Sequence, residues 1–409
     1  MKTAGIIAEY NPFHLGHEYH IRQTREATGA DYIVVIMSGN FTQRGQAALM
    51  DKYGRARQAL ENGADLVLEL PVCFATASAK IFAFGGVSLL DKLGVIDCLS
   101  FGSENGRLEQ IWQTALFFQK ESEAYQAQLR LELKQGHSFP KARAIAMQKC
   151  CPGVNTDFLK QPNNILGVEY CNALLSLKSR ITPVAIKRLH SSYHDPRLSE
   201  EGYSSATAIR QALDKALLLP LASHLPDSVH KMLLKEYGRT LPMGINDFSG
   251  LLHYRLLSEK RETLSLYADL HQDLADRIYH YLYSFRDYLS FCDLLKTKQL
   301  THSRISRSLL HILLDIKENE IHQYKEGNYA RYARILGFRK TASHLLHKIK
   351  TNASIPLISK LADSPFDTDP LSAQMLKADI RAAHIYESVL SQKFQCAFRD
   401  EYRRQFPIL

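Results

Sequence analysis

Along the first half of the chain, short apolar runs alternate with longer amphipathic segments. The runs at 3–9, 32–37, 65–70, 98–102 and 183–189 are nearly continuous in apolar residues. That is how strands buried on both faces of a parallel sheet read. Segments near 17–28, 50–62, 76–93, 107–134 and 163–177 carry helical patterning between them. The alternation predicts a doubly wound α/β fold with right-handed crossovers. Ligands on such sheets bind beyond the carboxyl ends of the strands. The loops 10–17, 38–45, 71–75, 102–106 and 190–197 are therefore where a site is expected.

The pattern changes after Leu219-Pro220. Amphipathic helices are expected over 249–258, 262–284, 303–315 and 371–394, with strand-like runs at 333–338 and 356–361 between them. We place a domain boundary at 220, giving an α/β domain over 1–220 and a mostly helical domain over 221–409. No apolar run approaches the roughly 18 residues of a membrane-spanning helix. With a strand read from residue 3, no leader is expected. The seven cysteines contain no C-x-x-C pair, so reduced thiols in a cytosolic protein are expected.

The net charge of +9 is unevenly spread. Residues 296–350 hold 12 Lys and Arg against 4 Asp and Glu, which is almost the whole imbalance. Such a window suits a polyanion. Tyr324, Tyr329, Tyr332 and Phe338 are interleaved with it. Core packing is the expectation for each of them, and stacking on loop bases the alternative.

The first run leads into Glu9-Tyr10-Asn11-Pro12-Phe13-His14-Leu15-Gly16-His17. Strand, glycine-bearing loop and helix in that order present phosphates to a helix N-terminus. Two imidazoles at that end suit stabilisation of charge on a departing pyrophosphate. The loop resembles the HxGH signature of nucleotidyltransferases and class I aminoacyl-tRNA synthetases. Further candidates follow the later strands. Ser38-Gly39-Asn40-Phe41-Thr42-Gln43-Arg44-Gly45 is polar where ligands are expected, and Lys52, Arg55 and Arg57 on the next helix are candidate phosphate cations. Gly102 ends the fourth strand, and Asn163 or Asn164 is expected to cap a helix. Arg188 follows the fifth strand and is placed to reach phosphate. Ser204-Ser205-Ala206-Thr207-Ala208-Ile209-Arg210 resembles the second nucleotidyltransferase signature, with Ser205 and Arg210 as possible phosphate contacts. His190 and His194 stand four apart, but Pro196 follows and no His-Glu-x-x-His pattern occurs, so no protein-bound zinc is expected.

These stretches, with Gly63-Ala64-Asp65-Leu66-Val67-Leu68-Glu69-Leu70-Pro71 and Asn163-Asn164-Ile165-Leu166-Gly167-Val168-Glu169-Tyr170, closely resemble the bacterial tRNA(Met) cytidine acetate ligase family. The likeness runs through Arg334-Ile335-Leu336-Gly337-Phe338 near the end of the chain. It implies a nucleotidyltransferase-like domain that makes acetyl-adenylate from acetate and ATP. The acetyl group would then pass to the wobble cytidine of elongator tRNA(Met), with AMP leaving and without acetyl-CoA. It also implies ATP contacts at Ile7, Ala8, Glu9, Tyr10, Asn11, Pro12, Phe13, His14, Leu15, Gly16, His17, Glu18, Tyr19, His20, Gly102, Asn163, Arg188 and Leu189. His14, His17 and Arg188 would be catalytic. Magnesium would travel with the triphosphate, and the basic half would hold tRNA, with Arg331, Arg339 and Lys340 as contacts. The alternatives are a small-molecule adenylyltransferase of cofactor biosynthesis, which leaves the basic half idle, and a non-catalytic RNA-binding descendant, which leaves the histidines idle.

Overall fold

The computed structural model describes the chain except residues 152–155, 190–197, 200–202 and 367–368. Among the described residues the strands are β1 (Thr3–Ala8), β2 (Tyr32–Ser38), β3 (Phe41–Thr42), β4 (Gln46–Ala47), β5 (Leu66–Leu70), β6 (Cys98–Ser103), β7 (Thr182–Lys187), β8 (Ala333–Phe338) and β9 (Leu357–Ile358). Seven form one sheet in the order β7-β6-β1-β2-β5-β8-β9, and β3 pairs with β4 as a separate hairpin. Strands β7, β6, β1, β2 and β5 are parallel. This is the doubly wound sheet that the alternation predicts.

The apolar runs are continuous because both faces of the sheet are covered. In β2, Val34 and Ile36 enter one core, while Ile33, Val35 and Met37 enter the other. Helices Leu15–Thr28, Lys52–Glu61 and Ala206–Asp214 cover the second face through Ile21, Leu60 and Ile209. Helices Ala79–Lys92 and Pro162–Ser176 cover the first through Val87 and Val168. The chain leaves β1 toward β2 on one side and later returns to β6 on the other. The strand order therefore reverses between β1 and β6, which opens a crevice at their carboxyl ends.

The run at 333–338 does not stay among the helices of the second half. As β8 it pairs antiparallel with β5, setting Leu66 opposite Phe338 and Glu69 opposite Arg334. One core joins Val34 and Leu68 to Leu309, Tyr332 and Tyr386. The change of pattern at 220 is thus a change of element type within a shared core. Some expected elements are subdivided. The span 107–134 is two helices, Leu108–Gln119 and Glu123–Lys134. The span 262–284 holds Arg261–Leu264, Gln272–His280 and a 3-10 turn. No helix among the described residues is long and apolar enough to cross a membrane.

Candidate functional site

A cleft lies over the ends of β1, β6 and β7. Glu9, Tyr10 and Asn11 line it after β1, Gly102 on β6, and Lys187, Arg188 and Leu189 at the end of β7. His14, Gly16, His17, Tyr19 and His20 come from helix Leu15–Thr28 and its cap. Arg44, Lys187, Arg188 and Arg210 face a single carboxylate, Glu9, among the described lining residues. That balance suits an anionic ligand.

His14 is the N-cap of its helix, and the two histidines replace the usual capping side chains. The Gly16 N–H donates to Nδ1 of His14 at 3.0 Å. The His14 N–H donates to Nδ1 of His17 at 3.3 Å. The rings stack with centroids 3.7 Å apart. Burial, followed by Arg188 and Arg210, lowers the His14 imidazole to about 3. Burial, His14, Arg188 and His20 hold His17 well below its ordinary value. Both rings are therefore neutral at pH 7. Since each Nδ1 accepts, each proton sits on Nε2. The pair offers two neutral N–H donors at the positive end of a helix. His20, one turn further along, is lowered to about 4 by burial and by Arg188.

The other walls are set by contacts distant in sequence. Glu104, just past β6, accepts from Asn163 N at 3.2 Å, Asn163 Nδ2 at 2.7 Å and Asn164 N at 3.1 Å. The N-cap of helix Pro162–Ser176 is Gln161. Neither asparagine caps it; the carboxylate of Glu104 satisfies the free N–H groups instead. Asn163 still lines the cleft. Ser205 caps helix Ala206–Asp214, accepting from Ala208 N at 3.1 Å. Arg210 Nη1 donates to Asn11 O at 2.7 Å, so the expected phosphate helix is tied to the histidine loop. The β3–β4 hairpin contributes Thr42, Gln43, Arg44 and Gln46. Gln43 N donates to Glu9 Oε1 at 2.8 Å. Ser306 Oγ, on helix His302–Leu314, donates to Gly45 O at 2.7 Å. At Gly45, with φ +71°, a β-carbon would meet the backbone of Ser306 and Arg307 at 2.5 Å. The basic half thus holds one wall of the cleft.

Of the contacts expected between 7 and 20, Pro12, Phe13, Leu15 and Glu18 are not in the lining. Phe13 is fully buried in the core and Leu15 N donates to His224 O. Lys52 is a correction. It is buried in an ion cluster with Glu69 at 2.8 Å and Glu401 at 2.5 Å, which Arg334 completes at 3.1 Å from Glu69 and 2.7 Å from Glu401. It does not reach the cleft. Arg55 is likewise structural, donating to the carbonyls of Glu9, Ser38, Gly39 and Met50. Arg57 pairs on the surface with Glu61. Sequence reasoning gave no site role to Tyr170, which ends the stretch 163–170, and missed Tyr203, which no motif marks. His190 and His194 lie outside the described residues. No group of three or more His, Cys, Asp or Glu placed to hold a metal occurs among the described residues.

The basic window is not one patch. Arg331 pairs with Asp369 at 2.9 Å and donates to Ser372. Arg339 N donates to Asp65 O, at the start of β5, and Lys340 is exposed beside it. A strand of this length separates Arg331 from Arg339 by about 20 Å. Because β8 runs antiparallel to β5, Arg339 and Lys340 sit at the end of the strands opposite the cleft. Tyr324 and Tyr332 are buried in the core.

A family model described as HIGH Nucleotidyl Transferase matches residues 1–401. The tRNA(Met) cytidine acetate ligase of Caldicellulosiruptor saccharolyticus is 40% identical over 388 residues, 94% of each chain. That of Thermosipho melanesiensis is 37% identical over 424 residues, covering 99% of this chain and 98% of the relative. The crystal structure of Thermotoga maritima TmcAL bound with alpha-thio ATP superposes over 100% of both chains, with a TM-score of 0.91 and 32% identity. Its apo form gives 0.93.

Proposed function

Because the chain belongs to the HIGH Nucleotidyl Transferase family and, within it, to the tRNA(Met) cytidine acetate ligases, we propose that its cleft activates acetate with ATP and passes the acetyl group to a tRNA cytidine. The enzyme is an ATP-dependent ligase. In the first step a carboxylate oxygen of acetate bonds to the α-phosphorus, and pyrophosphate leaves. In the second, the exocyclic amine of the wobble cytidine of elongator tRNA(Met) bonds to the acetyl carbon. AMP departs and N4-acetylcytidine remains. Acetyl-CoA takes no part.

The observation that carries this reading is the pair of neutral imidazoles with Nε2–H free of the backbone, beside Arg188, where the strand order reverses. Acetate is already an anion at neutral pH. Its attack needs alignment and stabilisation of charge, not a base. His14 and His17 supply fixed donors for phosphate oxygens, and Arg188 supplies the full charge. Ser205, Arg210 and the start of helix Ala206–Asp214 suit the β- and γ-phosphates. Ile7, Ala8, Gly102, Asn163 and Leu189 line the remainder, where adenine and ribose would lie. With Glu9 the sole lining carboxylate among the described residues, magnesium would be held by phosphates and water.

The test is acetate-dependent exchange of labelled pyrophosphate into ATP, followed by acetylation of tRNA(Met) from labelled acetate. Exchange with acetate and acetylcytidine in the tRNA are expected. Efficient acetylation from acetyl-CoA without ATP would overturn the reading.

A further inference from the structure

The hydrogen bonds around His20 fix its tautomer, and they leave unused the nitrogen that in His14 and His17 accepts a backbone N–H. Thr24 Oγ1 donates to the carbonyl oxygen of His20 at 2.8 Å. Its proton is then used, so in the 2.6 Å contact with Ser100 it accepts and Ser100 donates. Ser100 Oγ, its own proton given to Thr24, accepts from His20 Nε2 at 3.0 Å. The ring proton is therefore on Nε2 and the lone pair on Nδ1. No group among the described residues donates to that Nδ1, nor is it one of the buried atoms lacking a partner. The ring is one of those that line the cleft.

Three other groups could be considered there. His14 and His17 have no lone pair to give, because backbone N–H groups occupy both. Glu9 accepts from Gln43 N through Oε1, which ties that carboxylate to the β3–β4 hairpin. Resting on the reading above that a cytidine amine attacks acetyl-adenylate in this cleft, we propose that Nδ1 of His20 is the general base of the acetyl-transfer step.

As the amine nitrogen bonds to the acetyl carbon, one amine proton passes to Nδ1. The carbon–oxygen bond to the phosphate breaks, and its electron pair leaves with AMP. The imidazolium then returns its proton to water. Ser100 and Thr24 are positioning residues that hold the ring with its lone pair on Nδ1. Ser100 Oγ also accepts from the N–H that becomes more acidic as the ring charges. Burial and then Arg188 oppose a charge on His20, and Arg188 is the group that a nucleotide phosphate would pair with. Bound nucleotide therefore weakens that opposition when the proton must move.

The experiment compares two half-reactions in the full chain. One is acetate-dependent pyrophosphate exchange without tRNA. The other is single-turnover transfer to tRNA(Met) from acetyl-adenylate formed on the enzyme. His20→Asn keeps a polar group near Nδ1 but removes its basicity, and it should lower transfer about a hundredfold, with a much smaller loss in exchange. Added imidazole should restore part of the transfer in His20→Ala. Ser100→Ala, which keeps the ring but removes its acceptor, should also lower transfer more than exchange. Equal losses in both half-reactions would make His20 a nucleotide contact and overturn the proposal. So would transfer that is unchanged in His20→Asn. If the wild-type chain neither exchanges nor transfers, the acetate-ligase reading fails, independently of His20.

Discussion

Gly16 lies so close beneath the imidazole of His14 that a β-carbon on it would meet Cε1 at 2.9 Å and Nδ1 at 3.0 Å. The same ring accepts the Gly16 N–H. The glycine of the histidine loop is therefore what lets the first imidazole fold back over the helix start. Gly16→Ala should push the ring out of its cap while leaving the helix intact. We expect acetate-dependent exchange to lose mainly kcat, with the KM for ATP little changed. Steady-state exchange kinetics at varied ATP check this, and a normal kcat would show that the ring's place is not needed.

On the proposed function, His17 would bear on the departing pyrophosphate in the same way. His17→Ala removes one fixed Nε2–H donor and should lower the exchange rate about a hundredfold or more, as loss of one oxyanion donor does. ATP affinity, measured by equilibrium binding, should fall much less. Near-normal turnover would reduce the pair to a helix cap.

Acid should weaken the molecule through Glu401. Burial opposes its charge, but Lys52 and Arg334 outweigh burial and hold the carboxyl at about 2, below the usual 4.5. The folded chain thus binds this proton less readily than the unfolded chain. The stabilisation is complete above pH 4.5 and is lost as the pH falls toward 2. Integrated, it amounts to about 3 kcal/mol. Urea unfolding followed from pH 6 to pH 3 should show about 2 kcal/mol of this loss in the wild type and a flatter profile in Glu401→Gln. The variant should be the less stable of the two at pH 6, because Lys52 and Arg334 lose a buried partner. Parallel profiles would remove Glu401 from the account.

For tRNA, the informative variants are Arg339→Glu and Lys340→Glu. Arg331→Glu would also break the pair with Asp369, so a loss there has two explanations. Reversal at 339 and 340 should weaken tRNA(Met) binding and make its dependence on salt shallower, by roughly one unit of slope per lost phosphate contact. Exchange without tRNA should persist, since both residues lie at the end of the strands opposite the cleft. Binding titrations at several salt concentrations check this. Unchanged affinity would send the RNA to another face.

The parts of this molecule legible in the sequence are those decided locally. The histidine loop follows one strand and opens one helix, and its chemistry is written within nine residues. The parallel strands declare themselves because both faces of the sheet demand apolar residues. Lys52 was open to misreading because its fate depends on Glu69 and on Glu401 near the end of the chain, and a lysine on an amphipathic helix carries no sign of either. The β3–β4 hairpin is too short for a periodicity, and what holds it is the hydroxyl of Ser306, with the backbone of Ser306 and Arg307 packed against Gly45. The place of Glu104 at the helix start was invisible for the same reason. It lies 59 residues from the N–H groups it serves.

The pairing of β8 with β5 limits how this chain can be shortened. A fragment ending at residue 220 would keep all the described cleft-lining residues, yet it would bare the backbone donors and acceptors of β5 along the length now matched by β8. Leu66, Leu68 and Leu70 flank that line of open groups. An uncovered apolar edge of this kind recruits other strands, so the fragment's fate would be self-association. The nucleotide half is not a portable module. An engineer or a lineage seeking a smaller adenylating protein would first have to invent a new border for its sheet.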